Sequence, residues 1–270
     1  MDSRRSNGAT MRLRGAGRGK AGREIRRALV IGAHPDDNEA GCGGTIARMV
    51  QEGWDVTYIV CTNGNKGSHD PQMSSYQLSA RREEEQQAAA RLLGVQQVIF
   101  LRHEDGTLQP SPELRAEMSL YIRHFQPHAI FTHDPWQRYM LHPDHRAVGF
   151  AVLDGIVNAR DHLFMPGLSQ IGIPAWRPDV VYLWCADHPD HTEDISATCA
   201  LKLAALDEHR SQQHSLGPFV VALEQQMQAW GQAAGFIYGE AFKKIPLNEE
   251  ESAAYLIIEK KDAVPSLVWR

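Results

Sequence analysis

The chain has 270 residues, 43% hydrophobic and 23% charged, which suits one large globular domain or a domain with a small appendage. Its net charge is −5, but residues 1–27 hold nine Lys/Arg against Asp2 and Glu24; removing that +7 leaves −12 for the rest, and an acidic body argues against nucleic acid as a partner. No apolar run reaches the roughly 18 residues of a membrane span, and the N-terminus lacks the apolar stretch of a secretory signal, so a cytoplasmic protein with no membrane partner is expected.

Residues 1–27 are rich in Gly and Arg and poor in apolar side chains, so they read as a basic, disordered extension. The run Gly15-Ala16-Gly17-Arg18-Gly19-Lys20-Ala21-Gly22 superficially looks like a phosphate-binding loop, but no strand precedes it. Residues 28–270 are expected to form a single domain. A first buried strand is expected over residues 28–33, followed by His34-Pro35-Asp36-Asp37-Asn38-Glu39. An imidazole and several carboxylates thus sit at the carboxyl end of a strand, where α/β sheets place their chemistry. Pro35 fixes the backbone between His34 and Asp36, and Gly41, Gly43 and Gly44 are expected to keep the next turn open to a substrate.

Further strands are expected over residues 55–62, 97–101, 128–132 and 180–185, nearly all apolar as parallel strands buried on both faces should be. Helical spacing marks residues 45–51, 76–93, 112–125, 143–159 and 196–209, with Gly94 as a C-cap. The β-α-β-α succession predicts an α/β fold with a doubly wound sheet and helices on both faces. From Leu216 onward, further helices and a final strand are expected. Cys42, Cys61, Cys185 and Cys199 show no metal or disulfide spacing and read as reduced, buried thiols.

A second cluster follows the fourth strand: His133-Asp134-Pro135-Trp136, then His142-Pro143-Asp144-His145. Histidine nitrogen and carboxylate oxygen are the ligands of a catalytic divalent metal. If His34 and Asp37 bind one, a histidine here completes a two-histidine, one-carboxylate set, and Asp144 can hold its neighbour in one tautomer. The competing reading makes these residues helix caps. His188-Pro189-Asp190-His191 repeats the tetrapeptide, and spacing cannot separate the copies, although the later one reads as loop.

His34-Pro35-Asp36-Asp37-x-Glu39, Gly43-Gly44-Thr45, Thr62-Asn63-Gly64, Arg82-x-x-Glu85 before Leu93-Gly94-Val95, Asp105-Gly106 and His142-Pro143-Asp144-His145 occur in one order. In that order the chain after residue 27 resembles the zinc-dependent PIG-L/LmbE family of de-N-acetylases. Asp134-Pro135-Trp136-x-x-Tyr139, His209-Arg210-Ser211-Gln212 and Tyr238-Gly239-Glu240-x-Phe242 make it most similar to the diacetylchitobiose deacetylase group. The resemblance implies a Rossmann-like, mostly parallel fold, zinc (Zn2+) on His34, Asp37 and His145, and the first HPDH as the functional copy. It also implies an amino-sugar substrate, N,N'-diacetylchitobiose or N-acetylglucosamine, and a homo-oligomer, trimer or hexamer.

On this reading Asp36, beside a ligand yet free, is the general base that takes a proton from water. A protonated His142, favoured by Asp144, helps zinc stabilise the oxyanion, and either His142 or Asp36 protonates the leaving amine. Arg82 is expected to reach the cleft and bind the sugar, or else to pair with Glu85 on an exposed helix face. Asp105 is placed for sugar hydroxyls, and Trp136 for a sugar ring or for the core. Glu39 is expected to steady the loop, and His209 to line the cleft or cap its helix. Rival functions are a zinc amidase for another N-acylated sugar or thiol conjugate, and a non-enzymatic sugar- or nucleotide-binding domain.

Overall fold

Alternating residues of the first strand set up both layers of the core. β1 (Arg27–Gly32) sends Leu29 and Ile31 to one face of the sheet, and Ala28 and Val30 to the other, as the two-residue period of a strand requires. The structure, a computed structural model, describes residues 25–247, so most of the basic extension and everything after Leu247 lie outside the described residues. Arg27 already belongs to β1, one residue ahead of the expected start.

The other strands are β2 (Asp55–Thr62), β3 (Gln97–His103), β4 (Ala129–His133), β5 (Val180–Trp184), β6 (His191–Asp194) and β7 (Gly239–Pro246), in the order β3-β2-β1-β4-β5-β7-β6. The first five strands pair in parallel; β7 runs antiparallel to β5, and β6 antiparallel to β7. The expected α/β architecture is what forms. Leu29, Ile31 and Ile59 pack under α3 (Pro112–Phe125) and α4 (Pro143–Arg160). Val30, Tyr58 and Phe131 pack under α1 (Asp37–Gln51), α2 (Ser75–Leu92) and α6 (Cys199–Asp207). The chain also forms α5 (Pro166–Gln170), a 3-10 turn (Arg210–Gln212) and α7 (Gln213–Ala234). From β1 the chain builds outward through β2 and β3, then returns to the other side of β1 with β4. That reversal opens a crevice at the carboxyl ends of β1 and β4, the place where open α/β sheets bind ligands.

Two expectations are corrected here. The helix after β1 starts at Asp37, not at residue 45, and is bent at Cys42 (φ −150°, ψ 18°). Its glycines are packing contacts, not an open turn: a Cβ on Gly41 would stand 2.5 Å from the Trp184 ring, and one on Gly44 2.9 Å from Ile195. Glu240 of β7 holds the bend by accepting the N–H groups of Gly44 (3.0 Å) and Thr45 (2.7 Å). Lys202 Nζ donates to the Ala40 carbonyl (2.7 Å) and to Glu240 Oε1 (2.6 Å). The second correction concerns His188 to His191. The first three residues are loop, but His191 opens edge strand β6 and pairs with Phe242. Cys42, Cys61 and Cys199 are buried free thiols as expected, whereas Cys185 is exposed.

Candidate metal centre

The chain leaves β1 at Gly32 and places His34, Asp36 and Asp37 before and at the first turn of α1, while His142, Asp144 and His145 open α4. Neither expected cap forms: Asp36 and His142 occupy N-cap positions and make no side-chain cap hydrogen bond. Three residues turn their ligand atoms toward one another instead. His34 Nδ1 lies 3.2 Å from His145 Nε2 and 3.3 Å from Asp37 Oδ2, and His145 Nε2 lies 3.4 Å from Asp37 Oδ1. Ligands about 2.0–2.2 Å from a tetrahedral ion stand about 3.3–3.6 Å apart, so this nitrogen–nitrogen–oxygen triangle fits a metal such as zinc. Around it, His142 joins His34 and His145, Asp105 and Asp144 join His34 and His142, and His133 joins Asp37 and His145 as groups able to hold an ion.

The other face of each ring is fixed by the surroundings. His34 Nε2 is 3.1 Å from Asp144 Oδ2 and 3.2 Å from Asp105 Oδ1, so Nε2 donates toward these carboxylates and Nδ1, whose proton a bound metal would displace, faces the triangle. Burial pushes the His34 ring down, but the carboxylates of Asp105, Asp144 and Asp37 outweigh it and hold the ring well above its usual range. Burial also works against ionised Asp37, yet His145 and His133 keep that carboxyl well below the usual carboxylate range. His133 closes the far side. Its Nδ1 accepts the Trp184 indole N–H at 3.0 Å, and its Nε2 lies 3.2 Å from the Ala33 backbone nitrogen and 3.3 Å from Asp37 Oδ2. Burial lowers this imidazole to about 4, so the ring is neutral.

Asp36 stands beside the triangle at φ 99°, ψ −27°, a backbone region that costs a non-glycine residue on the order of 1–3 kcal/mol and must be held by its neighbours. Its Oδ2 accepts from Arg82 Nη2 at 3.0 Å. Burial raises the Asp36 carboxyl above its ordinary value, with the Arg82 cation pulling the other way.

Several expected partnerships are rearranged. Asp144 does not hold His142; it accepts from Gly106 N–H (2.7 Å) and Leu108 N–H (3.0 Å) and faces His34. His142 Nδ1 has no hydrogen-bond partner among the described residues, and burial, with His34 and His145 nearby, lowers the ring below its usual range. That direction works against the expected imidazolium. Arg82 is not an exposed partner of Glu85, since Arg81 makes that contact at 3.4 Å. Arg82 is 4% exposed and donates to the Gly64 and Pro35 carbonyls as well as to Asp36. Asp105, expected at sugar hydroxyls, is buried against His34, and its Oδ2 accepts the Lys66 N–H. Trp136 is on the surface, 60% exposed, and meets Phe150 edge-on. His209 is fully buried and bonds Glu39 at 3.3 Å instead of lining a cleft or capping. Glu39 itself is buried and tied to Gln86, in keeping with a loop-steadying role.

The sequence marks His133 only as one of several candidate ligand histidines, and Gln86 not at all. The place of His133 at the end of β4 was a usable signal. Gln86, inside a polar helix, gave none.

A family model described as PIG-L, GlcNAc-PI de-N-acetylase, matches residues 29–156. A diacetylchitobiose deacetylase of Thermococcus kodakarensis is 34% identical over 194 residues, covering 70% of this chain and 71% of that protein. A 1D-myo-inositol 2-acetamido-2-deoxy-alpha-D-glucopyranoside deacetylase of Geodermatophilus obscurus is 29% identical over 217 residues, covering 68% of this chain and 70% of that protein. Among solved structures, an N,N'-diacetylchitobiose deacetylase from Pyrococcus horikoshii, complexed with its inhibitor MPG, superimposes with a TM-score of 0.77 at 33% identity, over 82% of this chain and 84% of that chain.

Proposed function

The chain belongs to the PIG-L family of de-N-acetylases, and on that premise we propose that it is a zinc-dependent hydrolase that removes the acetyl group from an N-acetylglucosamine-type sugar. The deacetylase activity, the metal dependence and the amino-sugar class follow from the family. The identity of the metal, its ligands and the residue roles are our assignment. The observation that carries it is the triangle of His34 Nδ1, His145 Nε2 and Asp37, all within 3.2–3.4 Å, with an uncoordinated carboxylate next in sequence.

His34, Asp37 and His145 would hold a zinc ion, whose Lewis acidity would serve to acidify water and to polarise the acetamide carbonyl. Asp36 Oδ1, the oxygen that Arg82 does not engage, takes the proton of the attacking water, and its raised pKa makes it a stronger base than an ordinary carboxylate. His142, neutral by its lowered pKa, steadies the developing oxyanion as an N–H donor. The proton collected by Asp36 is then the one returned to the leaving amine. Asp144 and Asp105 hold the His34 tautomer, His133 orients Asp37, and Arg82 orients Asp36. Trp136 offers an exposed flat face for a sugar ring.

Among the described residues no helix is long and apolar enough to cross a membrane. A homo-oligomer in the cytoplasm remains part of the proposal, to be tested by sedimentation and fractionation. The functional experiment is amine release from N-acetylglucosamine, its disaccharide and acylated thiol-sugars by zinc-loaded protein. Turnover only on the last class would turn the proposal toward a different amidase.

A further inference from the structure

We infer that Gln86 is a positioning residue that locks the backbone of Asp36 in its left-handed conformation, through a buried line of hydrogen bonds anchored on Glu39 and His209. The inference rests on Asp36 being the proton acceptor of the proposed reaction. Gln86 is fully buried on α2. Its Oε1 accepts the Asp36 N–H at 3.0 Å, and its Nε2 donates to Glu39 Oε1 at 2.7 Å. Glu39 Oε2 is in turn 3.3 Å from His209 Nε2, and Gln86, Glu39 and His209 are all 0% exposed.

The direction of the line is fixed by chemistry. A glutamate carboxylate only accepts, so it forces the Gln86 amide to present its NH2 group to Glu39 and its oxygen to Asp36. With its amide rotation settled, Gln86 can hold just one thing on that side, a backbone N–H. That N–H belongs to a residue at φ 99°, which relaxes to ordinary backbone once nothing holds it.

Arg82 stands one turn before Gln86 on the same helix and takes the same residue by its side chain, Nη2 to Oδ2, and the preceding Pro35 carbonyl. Residues four apart share a helix face, so α2 grips Asp36 twice, by carboxylate and by backbone. Glu85, next to Gln86, accepts the N–H and hydroxyl of Ser211 at 2.8 and 2.6 Å, which ties the helix to the turn that follows His209. The motif His209-Arg210-Ser211-Gln212 thereby gains a purpose that the metal chemistry does not give it.

The test compares Gln86→Met with Gln86→Asn, the latter keeping a buried amide but falling one methylene short of spanning Asp36 and Glu39. Three quantities are measured: hydrogen exchange of the Asp36 amide by NMR, metal content, and kcat against KM. The line predicts at least roughly tenfold faster Asp36 exchange, unchanged metal stoichiometry and KM, and a kcat lower by about 10- to 100-fold, as displacement of a reacting group produces. Unchanged Asp36 exchange in a folded variant overturns the inference. So does fast exchange with full kcat in an enzyme where Asp36→Asn is inactive. If wild-type protein turns over nothing, or Asp36→Asn stays active, it is the proposed reaction that fails; the exchange measurement then judges Gln86 alone.

Discussion

Asp36 and its neighbours make the sharpest predictions, because the roles assigned to adjacent side chains differ. Asp36→Asn is nearly isosteric but cannot accept a proton; it should keep the metal and lose on the order of 10²- to 10⁴-fold in kcat. His145→Ala should abolish stoichiometric metal while His191→Ala keeps it, since His191 sits on the edge strand paired with β7, and elemental analysis of the two variants decides. A third prediction concerns pH. Burial raises the Asp36 carboxyl and the Arg82 cation restrains it; activity needs the ionised base, so it is lost as pH falls through that raised pKa. Arg82→Met removes the restraint, and the acid limb of kcat/KM should move to higher pH. A limb that stays in place would mean that Arg82 does not act through Asp36.

What could be read at this scale was residue type and spacing. Two HPD clusters at strand ends point to His34, Asp37 and some histidine after the fourth strand; the family resemblance singles out His145, and the three residues do converge. Which way each ring turns was not legible. Asp144 is two residues from His142, yet its carboxylate faces His34, 110 positions away, and only the packing of α4 against the 106–108 loop decides that. Arg82 and Glu85 looked like a helix pair by spacing, but burial of α2 turned one toward Asp36 and the other toward Ser211.

At the level of elements, the parallel strands were the readable part, because strands buried on both faces are nearly continuous apolar runs. α1 and β6 were not. A segment with glycines at 41, 43 and 44 reads as a turn until Trp184 and Ile195 are seen to need the space. The four polar residues of β6 gain their strand from pairing with β7, not from their own pattern. Gly41→Ala should therefore destabilise the fold by about 1–3 kcal/mol, the usual cost of overpacking. Lys202 and Glu240 are each about 1% exposed, and Lys202→Met leaves the buried Glu240 charge without its cation, held by the Gly44 and Thr45 N–H groups alone. A loss of about 3–5 kcal/mol is expected. Chemical denaturation of both variants checks these values; near-wild-type stability in Lys202→Met would mean that the bend of α1 does not depend on the pair.

For the molecule as a whole, the strand order places the chemistry. Reversal of the winding at β1 and β4 brings residues about a hundred positions apart, His34 and His145 among them, to one crevice. The proposed reaction uses no residue of the basic N-terminal segment. Arg26 already engages the sheet, with its carbonyl accepting the Asp55 N–H at 2.9 Å, so the deletion that tests the point removes residues 2–24. Unchanged melting temperature, turnover and sedimentation are expected; loss of assembly alone would assign the segment to an oligomer contact.

The central claim, zinc-dependent deacetylation at the His34–Asp37–His145 triangle, is tested most directly by acetate release from N,N'-diacetylchitobiose and N-acetylglucosamine before chelation, after chelation, and after zinc is returned. The account predicts turnover that chelation abolishes, that about one zinc per chain restores, and that no zinc restores in His145→Ala. Turnover surviving complete metal removal, or restored by zinc in His145→Ala, would contradict it.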